Sequence, residues 1–175
     1  IAGLGVARTF QNIRIFKRLT VLENVVAALL AGGKWGVTKL LSSPMSVKDS
    51  KLGKACEALE TLGLQDKQKL LAEDLPLPLR RRLEIARALA RDPEMILLDE
   101  PAGGMTPSET AELADLISQR VAPGRTCVVI EHKMDLISEI CSHLVVLHHG
   151  EKIAEGEPGP VLGLSRVVEA YLGKA

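Results

Sequence analysis

Asp99 and Glu100 follow directly on four apolar residues, Met95-Ile96-Leu97-Leu98. Two carboxylates at the end of a buried strand suit phosphoryl transfer, because Mg2+ takes hard oxygen ligands and the reaction runs on positioning and charge stabilisation. In that chemistry Asp99 holds the metal, directly or through water, and Glu100 polarises the water that attacks a terminal phosphate. The plainer alternative is a strand that ends in a solvated acidic turn. A second apolar run, Val128-Val129-Ile130, ends in Glu131-His132 and brings an imidazole to the same sheet edge. A neutral histidine both donates and accepts, so His132 suits contact with a γ-phosphate and with the attacking water. Taken alone, the commoner role of such a histidine is helix capping or surface solvation. Gln11 offers an amide whose oxygen can coordinate Mg2+ and which can hydrogen-bond water; its plainer reading is a polar loop residue.

These side chains need a scaffold. Val6, Arg8 and Phe10 alternate with Ala7 and Thr9, a period-two pattern that predicts a strand leading into Gln11. Thr20 and Glu23 form a capping box that opens a helix carrying Val25, Val26, Leu29 and Leu30 and ending at Gly32-Gly33. Lys34 to Ser50, with Gly36, Ser42, Ser43, Pro44 and Ser46, reads as a variable connection. A second helix is predicted over about Val47 to Leu62, with Gly63 as its C-terminal cap. From Arg81, RRLEIARALAR places Leu83, Ala86, Leu89 and Ala90 on one helical face, and Asp92-Pro93 stops it. The strand that ends at Asp99 comes next. Thr106-Pro107-Ser108-Glu109 then supplies cap, N1 proline and capping-box glutamate for a helix reaching about Val121. Thr126 to Ile130 reads as a second buried strand, Lys133 to Cys141 as a helix and Leu144 to Leu147 as a third strand. This β-α-β-α-β alternation predicts an α/β fold, a parallel sheet with helices on its faces. Gly150 turns the chain into a short strand, Lys152 to Ala154, and the tail from Pro160 to Leu172 is predicted helical.

Composition narrows the partners. With 175 residues, 46% of them hydrophobic, the chain can build one core. Lys plus Arg and Asp plus Glu both number 22, so no global field recruits nucleic acid or an anionic membrane. Charge-free stretches such as Asn24 to Gly33 are about half the roughly 20 residues that cross a bilayer. Cys56, Cys127 and Cys141 are odd in number with no CxxC, so neither a disulfide framework nor a zinc site is expected, and a reducing cytoplasm fits. His148 and His149, as neighbours on a strand, are expected to face opposite sides and to be structural. The first residue is Ile1 and no charged n-region with an apolar core follows, so no signal peptide is expected and the natural start is expected upstream.

The collinear series ARTFQNIRIFKRLTVLENV, RRLEIARALARDPEMILLDEPAGGMTPSE, VVIEHKMDLI and LHHGEKIAEGEP resembles the ATPase subunits of ABC transporters, from Gly5 to nearly the last residue. The RTFQNIR start and the EAYLG ending resemble the subunit of branched-chain amino acid importers. The resemblance implies a partial P-loop NTPase (RecA-like) parallel sheet with helices on both faces, plus an ABC α-helical subdomain. Within one incomplete domain it implies a helical subdomain over 20–80, a core with Walker B and the switch histidine over 81–150, and a C-terminal strand and helix over 151–175. It assigns Gln11 to the Q-loop, Asp99 to Walker B, Glu100 to the catalytic base and His132 to the switch histidine. Gly103, Gly104, Met105 and Thr106, after Ala102, would form the D-loop that crosses to a second ATPase subunit; Thr106 stands where the superfamily has Asp and this subfamily usually Asn. The implied cofactors are ATP and Mg2+, with Asp99 and Gln11 toward the metal. The implied partners are transmembrane permease subunits, a second ATPase subunit read as a paralogue and, indirectly, a solute-binding protein, without nucleic acid. The implied location is the cytoplasmic face of the inner membrane.

Two departures stand out. No GxxxxGK followed by Ser or Thr occurs, so no glycine loop wraps the phosphates. In the family that loop lies upstream of the residues matching Ile1, so truncation is the expected account. The 175 residues alone are expected to be nearly inactive and to expose apolar sheet edges. Where the family has a signature resembling LSGGQ, this chain has Leu75, Pro76, Leu77, Pro78 and Leu79. Pro76 and Pro78 have no N–H, and neither carries a hydroxyl, so the composite site served by this signature is expected to be impaired. Arg80, Arg81 and Arg82 oppose the dipole of the helix they open; they read either as an anion site or as a solvated basic turn. The leading reading is an ATP-hydrolysing subunit that energises an importer, and the alternative is a catalytically weak docking module in an asymmetric ATPase dimer. A soluble ABC-type ATPase of DNA maintenance fits less well with the neutral charge and the TVLENV segment.

Overall fold

The computed structural model describes residues 5–30 and 45–172, in two units divided between Ile130 and Glu131. The expected Gly32-Gly33 helix end and most of the variable connection lie outside the described residues.

In the first unit β1 (Val6–Arg8), β2 (Met95–Asp99) and β3 (Thr126–Ile130) form a parallel sheet in the order β1-β2-β3. Ile96 and Leu98 are fully buried, which is what anchors β2 as the middle strand. Its register sets Arg8 beside Leu97, and Asp99 beside Ile130. The expectation that β3 is buried is corrected: Val128 and Ile130, alternate residues on one face, are 40% and 55% exposed, and β3 is an edge strand among the described residues.

Helices α1 (Val21–Leu30), α2 (Met45–Thr61) and α3 (Leu77–Leu89) follow β1, and α4 (Pro107–Leu116), continued by a π-helical turn over Ile117–Val121, joins β2 to β3. α3 packs against α1, α2, β1 and β2, so it ties the helices to the sheet. The Thr20–Glu23 capping box is formed: Thr20 N–H donates to Glu23 Oε2 at 2.7 Å and Glu23 N–H to Thr20 Oγ1 at 3.2 Å. The box of Thr106 and Glu109 is formed as well. Two boundaries move. α2 starts at Met45, inside the stretch read as connection, and α3 starts at Leu77, four residues before Arg81. Proline costs nothing in a first helical turn, where its missing N–H would have no intrahelical partner, so Pro76 and Pro78 do not stop α3.

Asn24 is fully buried in α1. Its Oδ1 accepts from Phe16 N–H at 2.9 Å, and its Nδ2 donates to the carbonyls of Phe16 at 3.0 Å, Leu19 at 3.3 Å and Thr20 at 3.0 Å. One side chain therefore satisfies the backbone of the turn that leads from the β1 exit into α1.

The second unit holds α5 (Met134–Ile140), β4 (Leu144–His148), β5 (Glu151–Gly156), α6 (Pro158–Leu162) and α7 (Ser165–Leu172). Val146, Ala154, Val161 and Val167 form its core. The expectation that the third strand joins the parallel sheet is corrected: β4 pairs antiparallel with β5. The turn between them takes positive φ at His149 (48°) and Gly150 (84°), the geometry that closes a tight hairpin. That turn also corrects the reading of the histidine pair. His149 has left the strand, and the two rings lie 4.1 Å apart between centroids rather than on opposite faces. The helical tail is divided into α6 and α7 around Gly163 and Leu164. Among the described residues no helix is long and apolar enough to cross a membrane, and Cys56, Cys127 and Cys141 form no disulfide.

Arg81 and Glu84, one turn apart on α3, are buried at 8% and 6% exposure. Burial pushes the Glu84 carboxyl above its ordinary range, against the opposing pull of the Arg14 and Phe10 N–H groups and the charges of Arg81 and Arg87. A carboxyl raised on folding stabilises the native state below its unfolded value, and that contribution is lost as pH rises through the folded value.

Two tests follow from this packing. Asn24→Leu leaves several buried backbone groups unpaired and should lower the urea-unfolding free energy by about 2 kcal/mol or more, against about 1 kcal/mol for Thr20→Ala at the cap. Because Gln does not titrate, the stability of Glu84→Gln measured against the unaltered protein should improve as pH is raised upward from the ordinary glutamate value of 4.5. A difference that stays flat with pH would mean that burial does not govern this carboxyl.

Candidate functional site

The chain leaves β1 alongside the carboxyl end of β2, and Thr9 locks the two exits together. Thr9 N–H donates to Leu97 O at 2.9 Å, and its buried hydroxyl accepts from Asp99 N–H at 3.1 Å. Two side-chain pairs then cross from the β1 exit to the acidic pair. Arg8 Nη2 lies 2.9 Å from Asp99 Oδ2, and Gln11 Nε2 donates to Glu100 Oε2 at 3.0 Å. The sequence-selected residues Gln11, Asp99 and Glu100 are therefore brought to one rim.

Glu100 ends the strand in the left-handed region, at φ 45°, with its N–H on Ile130 O at 2.9 Å. A non-glycine residue there is strained by roughly 1–2 kcal/mol, which the neighbouring bonds must hold. A tight turn follows as Gly103 N–H returns to Glu100 O at 3.0 Å, and Met105 N–H bonds Ala102 O at 3.1 Å. Gly104 takes a backbone state that favours glycine, and Gly103 stands where a side chain would be a tight fit. A Cβ at Gly103 would stand 3.1 Å from Arg81 Nη2 and 3.3 Å from Glu100 O, and one at Gly104, where φ is 79°, would stand 2.9 Å from Leu77 Cδ2. Thr106 closes this loop as the N-cap of α4.

The loop after β1 is gripped from α3. Arg81 Nη1 donates to Gln11 O at 2.9 Å and to Phe10 O at 3.4 Å. Glu84 Oε1 accepts from Phe10 N–H at 3.4 Å and Arg14 N–H at 3.3 Å, and the pair itself is 3.8 Å apart. Arg87 donates to Arg14 O and stacks over Phe16, while Arg8 and Arg14 stack over Phe10. Burial lowers the Arg87 pKa against the charge of Glu84.

Neither expectation for Arg80 to Arg82 holds. Arg80 folds back onto Leu75 O at 2.6 Å and Glu73 O at 2.7 Å, Arg81 holds the loop, and Arg82 pairs with Glu112 at 2.8 Å. Their cations are engaged by the protein's own carbonyls and carboxylates. Of the signature segment, Leu75 is buried, Pro76 is the N-cap of α3 without a side-chain cap bond, and Leu77, Pro78 and Leu79 form its first turn.

His132 belongs to the second unit, two residues beyond Ile130 in the chain. Its N–H donates to Glu131 Oε2 at 2.8 Å, and Lys133 N–H shares that oxygen at 3.2 Å, so Glu131 braces the turn that precedes α5, whose N-cap, Lys133, makes no side-chain cap bond. Sequence reasoning missed Arg8, Thr9, Arg81 and Glu84. The available signal was spacing: Arg8 and Gln11 flank a buried threonine opposite an Asp-Glu pair, and Arg81 and Glu84 sit at i,i+3 on an otherwise apolar helix face.

Asp99 carries a carboxylate and Gln11 an amide at this rim, donor types whose hard oxygens suit a divalent ion. Among the described residues no three His, Cys, Asp or Glu side chains form a metal cage. One or two protein oxygens, the rest of the shell coming from water and phosphate, is how Mg2+ is held in phosphoryl-transfer sites.

Comparison with known proteins supplies the context. A sequence profile described as ABC transporter matches residues 2–103. The high-affinity branched-chain amino acid transport ATP-binding protein LivG of Escherichia coli is 38% identical over 179 residues, covering 100% of this chain and 70% of that protein. BraF of Pseudomonas aeruginosa, described in the same words, is 37% identical over 180 residues, again covering 100% and 70%. Among solved structures, the ADP conformation of MJ1267, an ATP-binding cassette of an ABC transporter, superposes with a TM-score of 0.82 at 32% identity, covering 99% of this chain and 70% of that one. A parallel sheet whose strand exits present Gln11, Asp99 and Glu100 together, with this likeness running along the whole chain, shows that the protein belongs to the ABC transporter ATP-binding family.

Proposed function

We propose that the chain is the ATP-hydrolysing subunit of an importer for branched-chain amino acids, with Asp99 as the Mg2+ ligand, Glu100 as the general base and Gln11 as the residue that links them. One observation carries the assignment of roles: the Gln11 amide already holds the Glu100 carboxylate at 3.0 Å, at the strand end where Asp99 is fixed by Thr9. Bound Mg2+ would neutralise charge developing on the β/γ oxygens. Glu100 then takes the proton of the attacking water, and Gln11, with its N–H₂ on Glu100, keeps an oxygen to offer to the metal. His132 is assigned the γ-phosphate contact, a role supported by its place two residues after the strand that pairs with β2. Gly103, Gly104, Met105 and Thr106 are assigned to the D-loop, toward a second ATPase subunit.

Residues 20–80 are read as the helical subdomain that docks transmembrane permease subunits at the cytoplasmic face of the membrane, with a solute-binding protein acting indirectly. Support for the solute class comes from LivG and BraF, which bear that substrate in their names. A second reading is favoured by a separate observation. The segment Leu75 to Leu79 carries two prolines at the start of α3, so it lacks two backbone N–H donors and any side-chain hydroxyl with which a signature would meet a partner's nucleotide. On that reading the chain is a catalytically weak docking module beside a paralogous, intact ATPase.

Measuring ATP turnover by the full-length subunit assembled with its permease and partner ATPase decides between these readings. Glu100→Gln should lower turnover by about 100-fold or more while nucleotide binding persists, and Asp99→Asn should raise the Mg2+ concentration needed for half-maximal turnover. Turnover that survives Glu100→Gln unchanged would exclude Glu100 as base and leave the docking module as the better reading.

A further inference from the structure

We propose that Arg8 is a built-in counter-ion for Asp99, holding the carboxylate while no divalent cation is bound, so that the metal binds in competition with it. The inference rests on the reading of Asp99 as the metal ligand.

The parallel register sets Arg8 beside Leu97, two residues short of Asp99, and the arginine side chain covers that offset to place Nη2 2.9 Å from Asp99 Oδ2. The Arg8 side chain is 52% exposed and that of Asp99 19%, so the guanidinium is the more solvated partner of a more sheltered carboxylate. The position of Asp99 does not depend on this contact. Its backbone N–H is fixed by the buried Thr9 hydroxyl at 3.1 Å, and the next residue is fixed by Ile130 O. Arg8 also has a second partner: its Cζ lies 5.4 Å from the centre of the Phe10 ring, where cation–π attraction can retain the guanidinium after it leaves the carboxylate. A single ion pair this exposed is weak, so removing it should change metal affinity by about two- to five-fold rather than by orders of magnitude.

Nucleotide-free full-length subunit titrated with Mn2+, with free Mn2+ read by electron paramagnetic resonance, tests this directly. Arg8→Gln should tighten Mn2+ binding about two- to five-fold, and Arg8→Lys, which keeps the charge, should stay near the unaltered protein. Arg14→Gln is the control for general charge, since Arg14 stacks on the same ring at 4.5 Å without an assigned bond to Asp99, and it should change affinity less. Asp99→Asn should weaken binding, and in its background Arg8→Gln should have no effect. If Asp99→Asn weakens Mn2+ binding but Arg8→Gln leaves it unchanged, or if the gain persists in the Asp99→Asn background, the counter-ion proposal is overturned while the metal-ligand reading stands. Mn2+ binding untouched by Asp99→Asn would overturn both.

Discussion

Two opposite charges removed from water need partners beyond each other, and the Arg81–Glu84 pair of α3 finds them in the loop that follows β1. Arg81 takes the carbonyls of Phe10 and Gln11, and Glu84 takes the N–H groups of Phe10 and Arg14. A buried pair left half satisfied would cost several kcal/mol, so the loop conformation and the helix position are each a condition of the other. Because Arg81 also lies against Gly103, the same guanidinium bounds the turn that carries the Glu100 carbonyl. The placement of Gln11 opposite Glu100 is thus inherited from a helix that itself supplies no group to the acidic rim.

Local signals were legible where the chemistry is local. The capping boxes at Thr20 and Thr106, the apolar run before Asp99 and the span of β3 all rest on residues within a few positions of one another, and the structure contains each. What escaped depended on distant partners or on an exception to a local rule. The start of α3 was hidden because proline usually marks a break, whereas Pro76 and Pro78 fall where an N–H is dispensable. Arg80 to Arg82 looked like free cations because their acceptors, Glu73, the Gln11 carbonyl and Glu112, come from three separate places in the chain. The strand at Leu144 has the pattern of a buried parallel strand, yet the left-handed pair His149-Gly150 folds it into a hairpin with β5. The site was legible in its acids and its glutamine, and illegible in Arg8 and Thr9, whose importance comes only from strand register.

The altered segment at Leu75 to Leu79 is compatible with a well-formed helix and with a tight fit onto the following loop, since Leu77 lies close to Gly104. Leu75, fully buried, and Leu77, against Gly104, give this segment a structural place in the fold that does not depend on any ligand.

Glu100 sits at φ 45°, a backbone state that glycine occupies freely and glutamate does not. The side chain proposed as the base is thus placed at a position where the chain alone would favour having none. Stability and turnover pull this one residue in opposite directions, and a population of variants screened only for thermal robustness should drift away from glutamate at position 100.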